Sequence, residues 1–317
     1  SPAVETMGRR LEVLWKLGSP ERCPLVVVGG VRALLQRLGP ADLGVEPVRV
    51  HPGAVLDAED LLARLVRMGY RREELVEHRG EVARRGAIID VFPSTADEPI
   101  RDRLTTFSVA DQRSAADIAE ALVFPARELL IDDSVRERAA SLVASEPWGR
   151  EHWERLAEGN VFDGMESWLP WLAGDERILT EVLPADSRIV LVEPRRMKDR
   201  AHDLLAEEDD LARALATTWA RDAEQTFPRL HVEMDRLLSG AIGTSALSIV
   251  PTPEAPDAPA VPASSWGPVT GDGKGLTDRM RSLLADKYRI VVAAEGVGSA
   301  QRLHSLLLDH ELDFRVI

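Results

Sequence analysis

The chain has 317 residues, 44% of them hydrophobic, enough to fill the cores of two or three domains. Its 39 basic and 53 acidic side chains give a net charge of −14, which excludes a chain that embraces nucleic acid by electrostatics alone, because phosphate binding needs a basic face. One cysteine, Cys23, excludes an internal disulfide and a cysteine-rich zinc site, and no apolar run approaches the ~18 residues of a membrane span.

The N-terminal stretch SPAVETMGRRLEVLWKLG lacks the apolar core of a signal peptide, so a cytoplasmic protein is expected. Met7, Leu11, Leu14 and Trp15 recur at helical spacing and Gly18 ends the run. LVVV at 25–28 reads as a buried strand, VRALLQRL as an amphipathic helix closed by Gly39–Pro40, and 47–50 as the next strand. Strand, helix and strand at this spacing predict a parallel α/β unit over 1–50. Gly29–Gly30 is not a phosphate loop, because G-x-x-x-x-G-K-[ST] is absent.

Residues 51–130 read as a small α+β domain. Asp57 can cap a helix with Asp60 in its first turn, an apolar face of Leu61, Leu62, Leu65 and Val66, and Gly69 at its end. From Arg79 to Ser114 the chain runs RGEVARRGAIIDVFPSTADEPIRDRLTTFSVADQRS. Val82, Ile88–Ile89 and Val91–Phe92 alternate like a half-buried strand, Gly80 and Gly86 punctuate it, and Pro93 closes it. Arg84, Arg85, Arg101 and Arg103 cluster around this sheet, either as solvated surface charges or as forks for a partner's carboxylates. The window 79–113 holds six arginines and six carboxylates, so a protein partner suits it better than DNA.

Residues 131–250 return to alternating helix and strand. Asp133 or Ser134 can cap a helix through Leu142, and 151–158 continues helical. Trp153, Trp168 and Trp171 lie close together, either as core or as a binding platform. RIVLV at 188–192 is a strand, 195–225 a long charged helix, and 245–250 a last strand. Residues 251–275 are a Pro-rich linker, from Pro251 to Pro268 and on through GDGKG. Lys274 there imitates a phosphate loop but fails its spacing, with Pro268 where glycine is needed and Gly275 where Ser or Thr is needed. Residues 276–317 begin a further α/β domain: a helix over 276–286, the strand RIVVAAE, a helix over AQRLHSLLLDH and the strand FRVI. His304 and His310, six apart, do not share a helical face as ligands.

The line GEVARRGAIIDVFP, then EPIR, then FSVADQRS, resembles the UvrB-homology module of bacterial transcription-repair coupling factors. The signature G-E-x-x-x-R-G-x-x-x-D-x-[FY]-P is shared with UvrB itself. Gln112-Arg113-Ser114, Pro125-Ala126-Arg127-Glu128 and the run Gly164 to Pro170, GMESWLP, are similar to the coupling factors where UvrB diverges. In both families an acidic, aromatic strand follows the EPIR arginine, whereas here Arg101 runs straight into Asp102-Arg103-Leu104.

The resemblance implies a UvrB-like α/β module of degenerate RecA-like parallel units, with the small domain inserted between 1–50 and 131–250. It implies that the parent is an ATP-dependent translocase on double-stranded DNA that displaces stalled RNA polymerase and recruits UvrA for nucleotide excision repair. ATP and Mg belong to the parent's motor domains, and a C-terminal domain masks the UvrA surface. Starting without Met and stopping on FRVI, the chain is expected to be the N-terminal piece of that longer protein. The family's UvrA contact, carried over position by position, falls on Arg85 and Arg101. No H-E-x-x-H, G-x-S-x-G, C-x-x-C or phosphate loop occurs, so no catalytic, cofactor-binding or metal-binding residue is assigned within this chain. A UvrB-type damage-loading protein and a non-catalytic scaffold built on the tryptophan-rich middle are the alternatives.

Overall fold

The computed structural model describes residues 3–39, 46–52, 54, 56–86, 88–101, 105–107, 114–117, 119–172, 177–218, 228–239, 245–252, 255–262, 273–294 and 296–315. The chain divides into two compact units, Ser1–Thr252 and Pro253–Ile317.

The first unit opens with helix α1, Val4–Leu17, whose Met7, Leu11 and Leu14 are buried at the spacing the sequence announces. The expected strand at 25–28 does not form. Leu25, Val26 and Val28 are 99%, 71% and 91% exposed, and among the described residues no strand lies beside them. An apolar run becomes a parallel strand only when neighbours supply the ladder on its edges, and local sequence does not name those neighbours. The helix after it is shorter than expected. It spans Val31–Leu35 (α2), and Gln36 turns extended to bridge His231.

Strand β1, Val48–Val50, belongs elsewhere than expected. It pairs antiparallel with β8, Ala121–Val123, in the register Val48↔Val123 and Val50↔Ala121, so the ends of the small domain are tied to each other. Between them lie helix α3 (Ala58–Arg67) and strands β2 (Arg71–Arg72), β3 (Glu81–Arg85), β4 (Ile88–Val91), β5 (Ile100–Arg101), β6 (Thr105–Phe107) and β7 (Ser114–Asp117). These six strands form one sheet in chain order, parallel between β2 and β3 and antiparallel thereafter. Asp57 caps α3 by accepting hydrogen bonds from the Glu59 and Asp60 amides at 2.8 and 3.0 Å. Leu62 and Leu65 of α3 pack on Val82, Ile89, Val91 and Ile100, one face of the sheet, with Val48 and Val123. Val66, expected on that apolar face, is 42% exposed instead.

Helix α4, Asp133–Ser145, starts one residue later than its cap, which is Asp132 rather than Asp133 or Ser134. With α5 (Arg150–Ala157) and α6 (Leu169–Leu172) it encloses a tryptophan-rich core. Strand β9 (Arg188–Val192) pairs in parallel with β10 (Ser245–Ile249). Helix α7, Pro194–Thr218, follows β9, and α8 is the short turn Arg236–Ser239.

In the second unit α9, Gly273–Ala285, and α10, Val297–Asp309, pack through Met280 and Leu307, joined by Leu312 just beyond α10. Gly273, Lys274 and Gly275 form the opening turn of α9. The expected strand at 289–295 is coil over its described residues 289–294, with Val291 79% exposed. No helix among the described residues is long and apolar enough to cross a membrane.

Candidate functional site

The β3–β4 hairpin turns at Gly86, whose φ of +66° is one that L side chains rarely adopt. Its register sets Arg85 opposite Ile88, Arg84 opposite Ile89 and Ala83 opposite Asp90. On the next strand Asp90 stands opposite Arg101. Side chains alternate with a period of two, so Arg85, Ile88, Asp90 and Arg101 share the face of the sheet turned away from α3. Arg84 has the opposite parity. It ion-pairs with Glu59 in the first turn of α3, and its Nε donates to the Gly86 carbonyl at 2.9 Å. Arg103, the fourth of the clustered arginines, lies outside the described residues, as do Gln112 and Arg113.

Asp90 holds Arg85 and Arg101 together. Arg85 Nη2 donates to Asp90 Oδ2, and Arg101 Nε donates to Asp90 Oδ1 at 2.8 Å. The Asp90 side chain is 2% exposed, that of Arg101 17% and that of Arg85 43%. Two guanidinium groups around one sunken carboxylate leave a net positive surface. Ile88, 39% exposed, supplies an apolar patch on the same face. Sequence reading placed both arginines but missed their common counter-ion. The signal was the hairpin register: with the turn at Gly86, Asp90 has the same parity as Arg85, and its strand lies between those of the two arginines.

The rest of the signature builds the platform. Glu81 accepts from the Glu77 and His78 amides at 2.9 and 2.8 Å and closes the turn that feeds β3. Gly80, φ +83°, leaves a gap that a Cβ would fill 3.0 Å from Val4 Cγ1. Beyond Pro93, the Ser94 amide donates to Tyr70 Oη, and both Tyr70 Oη and Ser94 Oγ donate to the Phe124 carbonyl. Burial pushes the Tyr70 phenol above its ordinary range, against the pull of its Ser94 hydrogen bonds.

Two of the three motifs that set the coupling-factor resemblance apart from UvrB meet each other. Arg127 Nη2 donates to Asp163 Oδ1 at 2.7 Å, and Arg127 Nη1 reaches Glu166 Oε1 at 3.3 Å, the glutamate of GMESWLP. Glu128 Oε1 pairs with Arg10 at 3.2 Å, and Glu128 Oε2 accepts from Gln36 Nε2 at 2.9 Å. Burial raises the Glu128 carboxyl, with Arg10 opposing. The pairs Arg10–Glu128 and Arg127–Glu166, whose carboxylates are buried, tie the end of the small domain to α1 and to the turn before α6.

The tryptophans pack as core. Trp153 is fully buried, edge-on to Trp168 at 4.9 Å between ring centroids and to Trp148 at 5.6 Å. His304 sits 3.6 Å from Asp313, and His310 caps the end of α10. Among the described residues no cluster of three His, Cys, Asp or Glu could hold a metal.

The family model of the UvrB interaction domain matches residues 48–129, from the first residue of β1 to just past β8. The chain is also similar to proteins named transcription-repair-coupling factor. That of Mycobacterium tuberculosis is 36% identical over 277 residues, covering 77% of this chain and 22% of the relative. That of Myxococcus xanthus is 34% identical over 230 residues, 66% of this chain and 19% of the relative. That of Escherichia coli is 30% identical over 186 residues, 54% of this chain and 16% of the relative. The chain thus spans about a fifth of the length of these curated relatives.

Proposed function

From its homology to the UvrB-like module of bacterial transcription-repair-coupling factors, we propose that this chain is the part of such a factor that recruits UvrA to begin nucleotide excision repair. The observation that carries the reading is the pairing of Arg85 and Arg101 on one face of the sheet, inside the span of the UvrB interaction domain. Arginine's planar fork of donors suits a partner's carboxylates, and Ile88 offers the apolar contact that interfaces place among such charges. The partner face on UvrA is therefore acidic with an apolar centre.

The remaining activities belong to the parent. It hydrolyses ATP with Mg to move on double-stranded DNA, contacts RNA polymerase through other domains and masks this surface with its C-terminal domain. It works in the cytoplasm. The sequence carries no G-x-x-x-x-G-K-[ST] phosphate loop, and the parallel pair β9–β10 with α7 is compatible with a degenerate RecA-like unit.

The test is titration calorimetry of this chain against UvrA beside the double variant Arg85→Glu, Arg101→Glu. Binding by the parent chain and none by the variant, with unchanged thermal unfolding, supports the reading. Equal binding by both overturns the surface, and absence of binding by the parent chain overturns the function.

A further inference from the structure

We infer that Asp90 is the positioning residue of this surface, holding both guanidinium groups in the geometry the partner meets. The inference rests on the UvrA reading above and deepens it. Asp90 is buried on the central one of three neighbouring strands, and each of its carboxylate oxygens takes one arginine. Its ladder neighbours are Ala83 on β3 and Arg101 on β5, so it stands among the strands that carry both arginines. The packing of the sheet against α3 is done from the other face, by Val82, Ile89, Val91 and Ile100. Asp90 therefore orders two long side chains without forming part of that core.

The two arginines share one problem. Each is a long, rotamer-rich side chain that loses conformational freedom when a partner docks. Fixing them beforehand moves that loss from the binding step to the folding step, which tightens binding through slower dissociation. The carboxylate also lowers the local positive charge, which by itself slows the approach of an acidic partner. Positioning and simple charge therefore predict opposite signs for Asp90→Asn. Charge alone predicts faster association and tighter binding. Positioning predicts weaker binding, about tenfold, carried by the dissociation rate.

The experiment measures association and dissociation rates of the full chain on immobilised UvrA for the parent, Asp90→Asn, Arg85→Ala with Arg101→Ala, and the triple variant. The expected result is about a tenfold faster dissociation for Asp90→Asn, and no further loss when Asp90→Asn is added to the arginine-free background. Binding by Asp90→Asn as tight as the parent or tighter overturns the inference while leaving the UvrA reading intact. No binding by the parent overturns both. A readout on the unmodified chain stands apart from how any variant folds: the Arg101 Nε–H resonance exchanges slowly with solvent. Exchange as fast as that of an exposed arginine overturns the positioning role.

Discussion

Gly8 of α1 lies so close to Ser94 that a Cβ added to it would stand 2.3 Å from Ser94 Oγ and 2.5 Å from Ser94 Cβ. The helix thus seats its smallest residue on the loop that closes the signature strand, where Ser94 is itself held by Phe124 and Tyr70. Alanine would raise local helix propensity by about 1 kcal/mol. Against that, the loop must move by about an ångström to restore van der Waals contact, an overpacking of about 1–3 kcal/mol. The clash involves atoms at or next to the backbone of Ser94, so it wins. Gly8→Ala is expected to lower the urea midpoint and leave the slope of the transition unchanged.

Arg127 answers two carboxylates of unequal worth. Glu166 is 4% exposed beside it, Asp163 84%. The Arg127 hydrogen bond lowers the Asp163 carboxyl below its ordinary value, but so exposed a pair contributes at most about 1 kcal/mol. Taking the guanidinium from buried Glu166 costs about 3–5 kcal/mol. Arg127→Met should therefore destabilise several times more than Asp163→Asn, as chemical denaturation of the two variants would read. Equal effects would place the worth of the network at the surface.

Much of this architecture is legible in the sequence. Helix α3 is announced by Asp57, by apolar residues at 61, 62 and 65, and by Gly69, because caps and periodicity are local. The arginine hairpin is legible for the same reason, since alternation and Gly86 fix both parity and turn. Leu25–Val28 looks equally strand-like but stands in the open, because a strand is completed by distant neighbours and not by its own residues. The roles of Arg127 and Glu128 were hidden for a related reason. Their partners lie far off in sequence, at 163–166 for one and at Arg10 and Gln36 for the other. The shared counter-ion Asp90 lies between these cases: readable from register once the turn is known, invisible from composition.

Glu128 makes stability pH-dependent. Burial raises its carboxyl above the ordinary value of 4.5, so the folded state holds a proton that the unfolded state has already released. Between the unfolded and folded values the native state binds more protons, and stability falls as pH rises. Below about 4.5 both states are protonated and the contribution of Glu128 is flat. Glu128→Gln removes this slope. Urea denaturation from pH 4 upward should show the parent losing stability relative to the variant just above 4.5, and parallel curves would show that Glu128 titrates alike in both states.

Arg84 and Arg85 are chain neighbours with opposite duties, which gives the sharpest test of the surface. Arg84 faces α3 and Glu59, a pair in which the carboxylate is 73% exposed. Arg84→Ala should change stability by about 1 kcal/mol or less and leave UvrA binding as in the parent. Arg85 and Arg101 flank Asp90 on the other face, and Arg101 is the less exposed of the two. A truncated charge costs most where it is best desolvated, so Arg101→Ala should weaken the complex by about 2–5 kcal/mol and Arg85→Ala by less. Calorimetry of the three single variants reads the order directly. Loss of binding on Arg84→Ala, with Arg85→Ala and Arg101→Ala like the parent, would move the partner to the α3 side of the sheet.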